Sequence, residues 1–108
     1  MNSRRAPIRF EVSVNGVVKR VIGVGEFGVL SAIVGWVRRN PHKGYDVLRD
    51  DPDIDRKEFF DSEISIQLGG LDSSTDRDIH WLKDSLEPGD VVSIKILSDG
   101  EYDEPVNS

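Results

Sequence analysis

One uninterrupted stretch, Phe27-Gly-Val-Leu-Ser-Ala-Ile-Val-Gly-Trp-Val-Arg-Arg-Asn-Pro41, constrains this chain more than any other. Wound as a helix, it puts Val29, Leu30, Ile33, Val34, Trp36 and Val37 in one broad arc. Ser31, Arg38 and Arg39 fall opposite, with Ala32 and Gly35 between. That is the apolar stripe of a helix laid on a sheet. Pro41 stops it, because proline lacks the N–H and disfavours the α region for Asn40 before it. The spacing predicts a long central helix over 28–40.

The totals restrict what such a helix can belong to. At 108 residues the chain is one domain, read as ordered over about 7–98 with an irregular loop at 41–62 and an acidic tail at 99–108. It has no cysteine, which excludes a disulfide framework and a thiolate zinc site. The longest apolar run, Ala32 to Val37, is too short for a membrane helix. Near the start, Ile8-Arg-Phe-Glu11 alternates as a strand does and shows no signal-peptide core, so a cytoplasmic location is expected.

Net charge is −6, unevenly spread: residues 1–43 carry +6 and residues 44–108 carry −12. An acidic total opposes non-specific nucleic-acid binding, which needs a basic surface. The asymmetry reads first as two halves that neutralise each other in the fold, and second as a dipolar surface with a basic face for an acidic partner.

Along the chain, Ile8, Phe10, Val12 and Val14 alternate with polar residues, and Asn15-Gly16 follows as a hairpin signal. The return strand runs over about 17–24. A three-residue loop with a glycine bulge turns Val18, Arg20, Ile22 and Val24 inward. A two-residue loop turns in Val17, Lys19, Val21 and Gly23 instead, so apolar content favours the bulged loop and leaves Arg20 as the misfit. The 41–62 segment, with two prolines and six aspartates, reads as an irregular connection with a helical turn near Arg56 to Phe60. Glu63 to Leu68 alternates, and Gly69-Gly70 reads as a turn. Asp72 to Thr75 offers N-caps for a short helix holding Ile79, Trp81 and Leu82 and ending near Ser85. After a Glu87-Pro-Gly-Asp90 turn, Val92, Ile94 and Ile96 line the inner face of a last strand. The plan is α+β: a mixed sheet of about four strands, a long helix across one face and a second short helix.

This order resembles the ubiquitin-like β-grasp fold. Ile64-Ser-Ile-Gln-Leu-Gly-Gly-Leu71, Asp78-Ile-His-Trp-Leu82 and Leu86-Glu-Pro-Gly-Asp-Val-Val-Ser-Ile-Lys-Ile96 look like its closing half. The resemblance implies a last strand parallel to the first in the sheet centre. Gly28-Val-Leu-Ser-Ala-Ile33 with Leu68-Gly-Gly-Leu-Asp72 is also similar to small uncharacterised bacterial proteins, which implies no activity. Ubiquitin-like modifiers react at a C-terminal Gly-Gly, whereas this sequence ends Pro105-Val-Asn-Ser108, so neither conjugation nor sulfur carriage is expected.

Gly23-Val-Gly25-Glu-Phe-Gly28 matches GxGxxG, which after a strand and before a helix seats a pyrophosphate on the helix N-terminus, with Asp46 where a ribose-binding acid is expected. A hairpin arm leads into it and no further βα units follow, so the competing reading is a flexible passage needing close packing. Asp51-Pro-Asp53-Ile-Asp55 fails as a calcium loop, because Arg56 and Ser62 occupy the required glycine and glutamate positions. His42 and His80 have no identifiable nucleophile partner, and two tryptophans make no nucleic-acid stripe.

These readings converge on a non-enzymatic module that binds another protein, with no catalytic residue, cofactor, metal, nucleic acid or membrane. Its expected interaction surface is either an open sheet face of Arg9, Glu11, Ser13, Ser65, Gln67, Ser93 and Lys95 or the 41–62 loop. The alternatives are nucleotide binding through Gly23, Gly25, Gly28 and Asp46, or an acidic inhibitor of a basic toxin through the −12 half.

Overall fold

The computed structural model describes residues 4–106. Its elements run β1 (Arg5–Ala6), β2 (Arg9–Val14), β3 (Val17–Ile22), β4 (Gly28–Val37), α1 (Asp46–Asp50), α2 (Arg56–Phe60), β5 (Glu63–Asp72), β6 (Arg77–Ser85), β7 (Val92–Leu97) and β8 (Gly100–Glu101). Two three-stranded antiparallel sheets, ordered β3-β2-β7 and β4-β5-β6, face each other, and β1 pairs with β8 beside them. Val12, Ile22 and Val24 from one side meet Ile66, Leu68 and Trp81 from the other to form the buried core. The fold is all but helix-free.

The long helix expected at 28–40 is strand β4, and this overturns both the α+β plan and the β-grasp resemblance. Four β-branched residues and Trp36 stand among the ten of β4, and these crowd a helix but suit a pleated surface. Gly28 and Gly35 would each cost a helix about 1 kcal/mol relative to alanine. The apolar residues lie on both strand faces, which erases the alternation that marks a half-buried strand. The closing strand β7 also departs from the β-grasp pattern: it is antiparallel to β2 and sits at a sheet edge.

The short helix expected over 75–85 is strand β6. Leu68 pairs with Leu82 and Gly70 with Ile79, so a bulge leaves Trp81 without a partner between them. Ile79 and Leu82 thereby share a face three residues apart, a spacing that imitates a helix turn. Asp72 caps no helix. Its carboxylate accepts from Ser74 N at 2.9 Å, and the β5–β6 hairpin turns there. Gly69 and Gly70 continue β5 instead of turning the chain. A Cβ on Gly70 would collide with the Val29 carbonyl and with Val24 Cγ1 at 2.7 Å.

The first hairpin forms where expected, with Asn15 at φ 53° and Gly16 at φ 80°, the two positive values of a type I′ turn. Its loop has two residues, since Val14 pairs with Val17. The bulge lies further along, at Lys19, because Ser13 pairs with Val18 and Val12 with Arg20. Ile22 and Val24 therefore reach the core as the apolar pattern requires, while Val18 faces outward. Arg20, the expected misfit, folds its guanidinium back onto the Lys19 carbonyl at 2.6 Å. The Glu87–Asp90 turn is present: Asp90 N donates to Glu87 O at 3.0 Å, with Gly89 at φ 99°.

Residues 99–106 form a strap. Tyr102 N donates to Arg4 O at 3.0 Å, Asp103 N to Val21 O at 2.8 Å, and Val106 N to His80 O at 2.9 Å. The Asp103 carboxylate accepts from Val21 N at 2.8 Å, and its carbonyl accepts from the buried Trp81 indole at 2.9 Å. One segment thus binds β3 of the first sheet and β6 of the second. Arg4–Glu104 and Arg5–Asp99 ion pairs join the basic start of the chain to this acidic segment, so part of the charge asymmetry cancels within the fold.

Candidate functional site

β4 is the outer strand of its sheet, bonded to β5 along ten register pairs with no bulge. In an antiparallel strand alternate residues turn both backbone polar groups away from the partner, so about five N–H and five C=O groups point outward. Among the described residues no backbone bond beyond the sheet ladder covers them. The strand carries no charge and no proline, the devices that normally blunt such an edge. Leu30, Ala32, Val34 and Trp36 share the inner face with Gly70, Leu68, Ile66 and Ile64, and Val29, Ile33 and Val37 share the outer face. Trp36 is 65% exposed, and Val29, Ile33, Val34 and Val37 are exposed with it. This is a contiguous apolar edge.

The other edges are managed. The Asp103 bonds occupy β3 at Val21, and Val106 occupies β6 at His80. Strand β7 carries Lys95, and charged Arg77, Asp78, Lys83 and Asp84 line β6. Among the described residues β4 is the one edge strand with neither such a bond nor a charged side chain. It is also the segment whose helical appearance hid it: an uncharged run of ten residues with β-branched side chains at both parities was the signal available.

The residues expected to form one interaction face divide between two. Arg9, Glu11, Ser13, Ser93 and Lys95 share the outer face of β3-β2-β7, where Glu11 pairs with Lys95 and Ser13 with Ser93. The Arg9 guanidinium is committed to the Ser98 and Glu101 carbonyls, each at 3.0 Å. Ser65 and Gln67 lie on the outer face of the other sheet, beside Gly35 and Ile33 of β4. These two flank the apolar edge, and the other five are on the far side of the core.

The glycine motif joins two strands. Gly28 opens β4, so no helix N-terminus stands behind Gly23-x-Gly25-x-x-Gly28 to receive a pyrophosphate, and Asp46 begins α1. Gly23 is needed for packing, since a Cβ there would lie 2.8 Å from Ala6 Cβ and 2.9 Å from the Tyr102 ring. A Cβ at Gly28 would collide with the Leu71 carbonyl. The small hollow beside the motif is lined by Pro7, Ile8, Val24, Gly25, Glu26, Gly28 and Leu30, and its one charged group, Glu26, would repel a phosphate.

The 41–62 connection packs on itself. Tyr45, Phe59 and Phe60 stack edge to face with centroids 5.0–5.9 Å apart, and the Arg39 guanidinium lies 4.5 Å from the centre of the Phe59 ring. The helical turn expected at Arg56 to Phe60 is α2, capped by Asp55, whose carboxylate accepts from Lys57 N and Glu58 N. Asp51 accepts from Asp53 N at 3.0 Å. These acids stabilise local turns, and no group of three or more metal-ligating side chains gathers among the described residues. His42 lies in this connection and His80 in β6, with Gly69 as its cross-strand neighbour. Among the described residues no helix is long and apolar enough to cross a membrane.

Comparison with known proteins is silent on family: no family model matches the chain, and no curated protein or solved structure matches it.

Proposed function

We propose that this chain is a non-enzymatic protein-binding domain and that β4 is its interaction edge. The observation that carries the reading is the bare ten-residue strand at the rim of β4-β5-β6, apolar on both faces and free of charge. Such an edge offers backbone bonds for affinity and alternating side-chain positions for specificity, the mode called β-augmentation. A partner strand laid along β4 satisfies the outward backbone groups and covers Ile33, Val34 and Trp36 in one step. The cytoplasmic setting expected from the sequence belongs to the same proposal.

The test is capture from the native host by the immobilised full chain, with mass spectrometry of the retained proteins. Ile33→Lys, on the outer face of β4, is expected to lose them, while Glu11→Lys, on the far sheet, is expected to keep them. If Glu11→Lys loses the partner and Ile33→Lys retains it, binding belongs to the polar face and the edge reading fails.

A further inference from the structure

We infer that the strand seated on β4 is β4 of a second copy of this chain, paired antiparallel about a two-fold axis normal to the sheet. The inference rests on the reading of β4 as an interaction edge. It adds the identity of the occupant.

An antiparallel edge is self-complementary under that symmetry, because the rotation reverses the strand and leaves inner face beside inner face. A residue of one copy then sits beside a residue of the same parity in the other. With Ile33 on the axis, Ala32 lies beside Val34 of the second copy and Leu30 beside its Trp36. The small side chain at 32 leaves room for the branched one at 34. Every pair across the joint within 29–37 is then apolar or small, and six strands become one continuous sheet.

Charge selects this arrangement over a generic strand partner. Glu26 stands just before β4, and Arg38 just after it, and both are exposed. Among the described residues neither takes part in an ion pair. Antiparallel self-pairing brings Arg38 of one copy beside Gly28 of the other, two positions from its Glu26, and symmetry makes the contact twice. Glu26 lies in the bend that leads into β4, and both side chains are long and exposed, so the two charges meet at the rim of the joint. These two pairs offset the repulsion between two chains of net charge −6.

Shape agrees. The radius of gyration is 17.2 Å, against about 13 Å for a compact domain of this length. The chain alone leaves the inner face of its sheet open at Val34 and Trp36, and a second copy closes it.

The test is sedimentation equilibrium on the full chain, with hydrogen exchange read at β4. The native chain is expected at twice 12.1 kDa, with β4 amides that become protected as concentration rises. Ile33→Lys places two like charges on the axis and is expected to weaken the dimer roughly 100-fold, with circular dichroism unchanged because Ile33 is exposed. Arg38→Glu is expected to weaken it about tenfold, and Glu26→Arg combined with Arg38→Glu to restore it, a rescue that misfolding does not produce. A monomer at all concentrations overturns the inference, as does a dimer indifferent to both Ile33→Lys and the charge reversal. If the chain is monomeric and Ile33→Lys still loses captured host proteins, the second-copy inference fails and the edge reading stands. If neither dimerisation nor capture responds to Ile33→Lys, both fail.

Discussion

Cutting Tyr102 back to alanine tests whether the 99–106 strap belongs to the core. The ring of Tyr102 meets Trp81 edge to face, with centroids 6.2 Å apart at 75°, and lies over Gly23, whose bare Cα makes the seat. A fully buried aromatic replaced by alanine costs about 3–5 kcal/mol. Tyr102 is half-buried, so its share is about 2 kcal/mol, including the edge-to-face contribution. At about 4 °C per kcal/mol for a domain near this size, the melting temperature falls by about 8 °C. Urea unfolding followed by tryptophan fluorescence in a Trp36→Phe background reads this directly, because the remaining Trp81 is 1% exposed in the folded chain. Tyr102→Phe keeps the ring and is expected to remain within about 0.5 kcal/mol of the native chain. Burial, the largest influence, raises the Tyr102 phenol above its usual range, with Arg4 opposing and Asp72 adding. A raised folded-state value means a contribution complete below about pH 10 and lost as pH climbs through the folded value; Tyr102→Phe is expected to remove that alkaline step. An unchanged urea midpoint for Tyr102→Ala would show that the strap is frayed and refute its role in joining the sheets.

Two glycines separate the strand assignment from its alternatives. Gly70→Ala drives a Cβ into the Val29 carbonyl and is expected to cost about 2 kcal/mol or more as overpacking, whereas Gly35→Ala meets open space and is expected to be neutral or stabilising by up to about 1 kcal/mol; equal effects by thermal melting would contradict the β4–β5 register. Asp90 accepts from the Asn15 side chain at 3.0 Å and from Glu87 N, which hold its carboxyl below the usual value. A lowered folded-state value gives a contribution present above about pH 4 and lost as pH falls through it, so Asp90→Asn is expected to flatten the acid limb of a stability–pH curve, and an unchanged limb would remove Asp90 from that account.

Local turn chemistry was readable in the amino-acid sequence, and long-range pairing was not. Asn15-Gly16 and Glu87-Pro-Gly-Asp90 specify their turns by backbone preference alone, and both form. The helical turn expected near Arg56 to Phe60 forms as α2, held by an Asp55 cap that the expectation did not include. Strand β4 was misread because residues apolar on both faces fit a helical arc as well as a strand, and only the partner β5 decides between them. Strand β6 was misread because one bulged residue, Trp81, turned a period of two into a spacing of three. The strap was missed because acidic composition suggests solvation, while Tyr102, the one large ring in it, docks on Trp81. For the candidate site the outward polar residues were placed on strands correctly, yet nothing in their alternation told which sheet each strand would join.

The strap has a consequence for how the molecule assembles. The β2–β3 and β5–β6 hairpins close over short loops and form early, whereas the strap joins Arg5 to Glu101 and Val21 to Asp103 across most of the chain. Contacts of such sequence separation are entropically costly to close and slow to form. Until the strap docks, Trp81 is expected to be unsealed and the β3 and β6 edges to be bare at Val21 and His80 as well as β4. Misassembly during refolding is expected to rise with protein concentration in that interval, and residues 99–106 act as the latch that ends it.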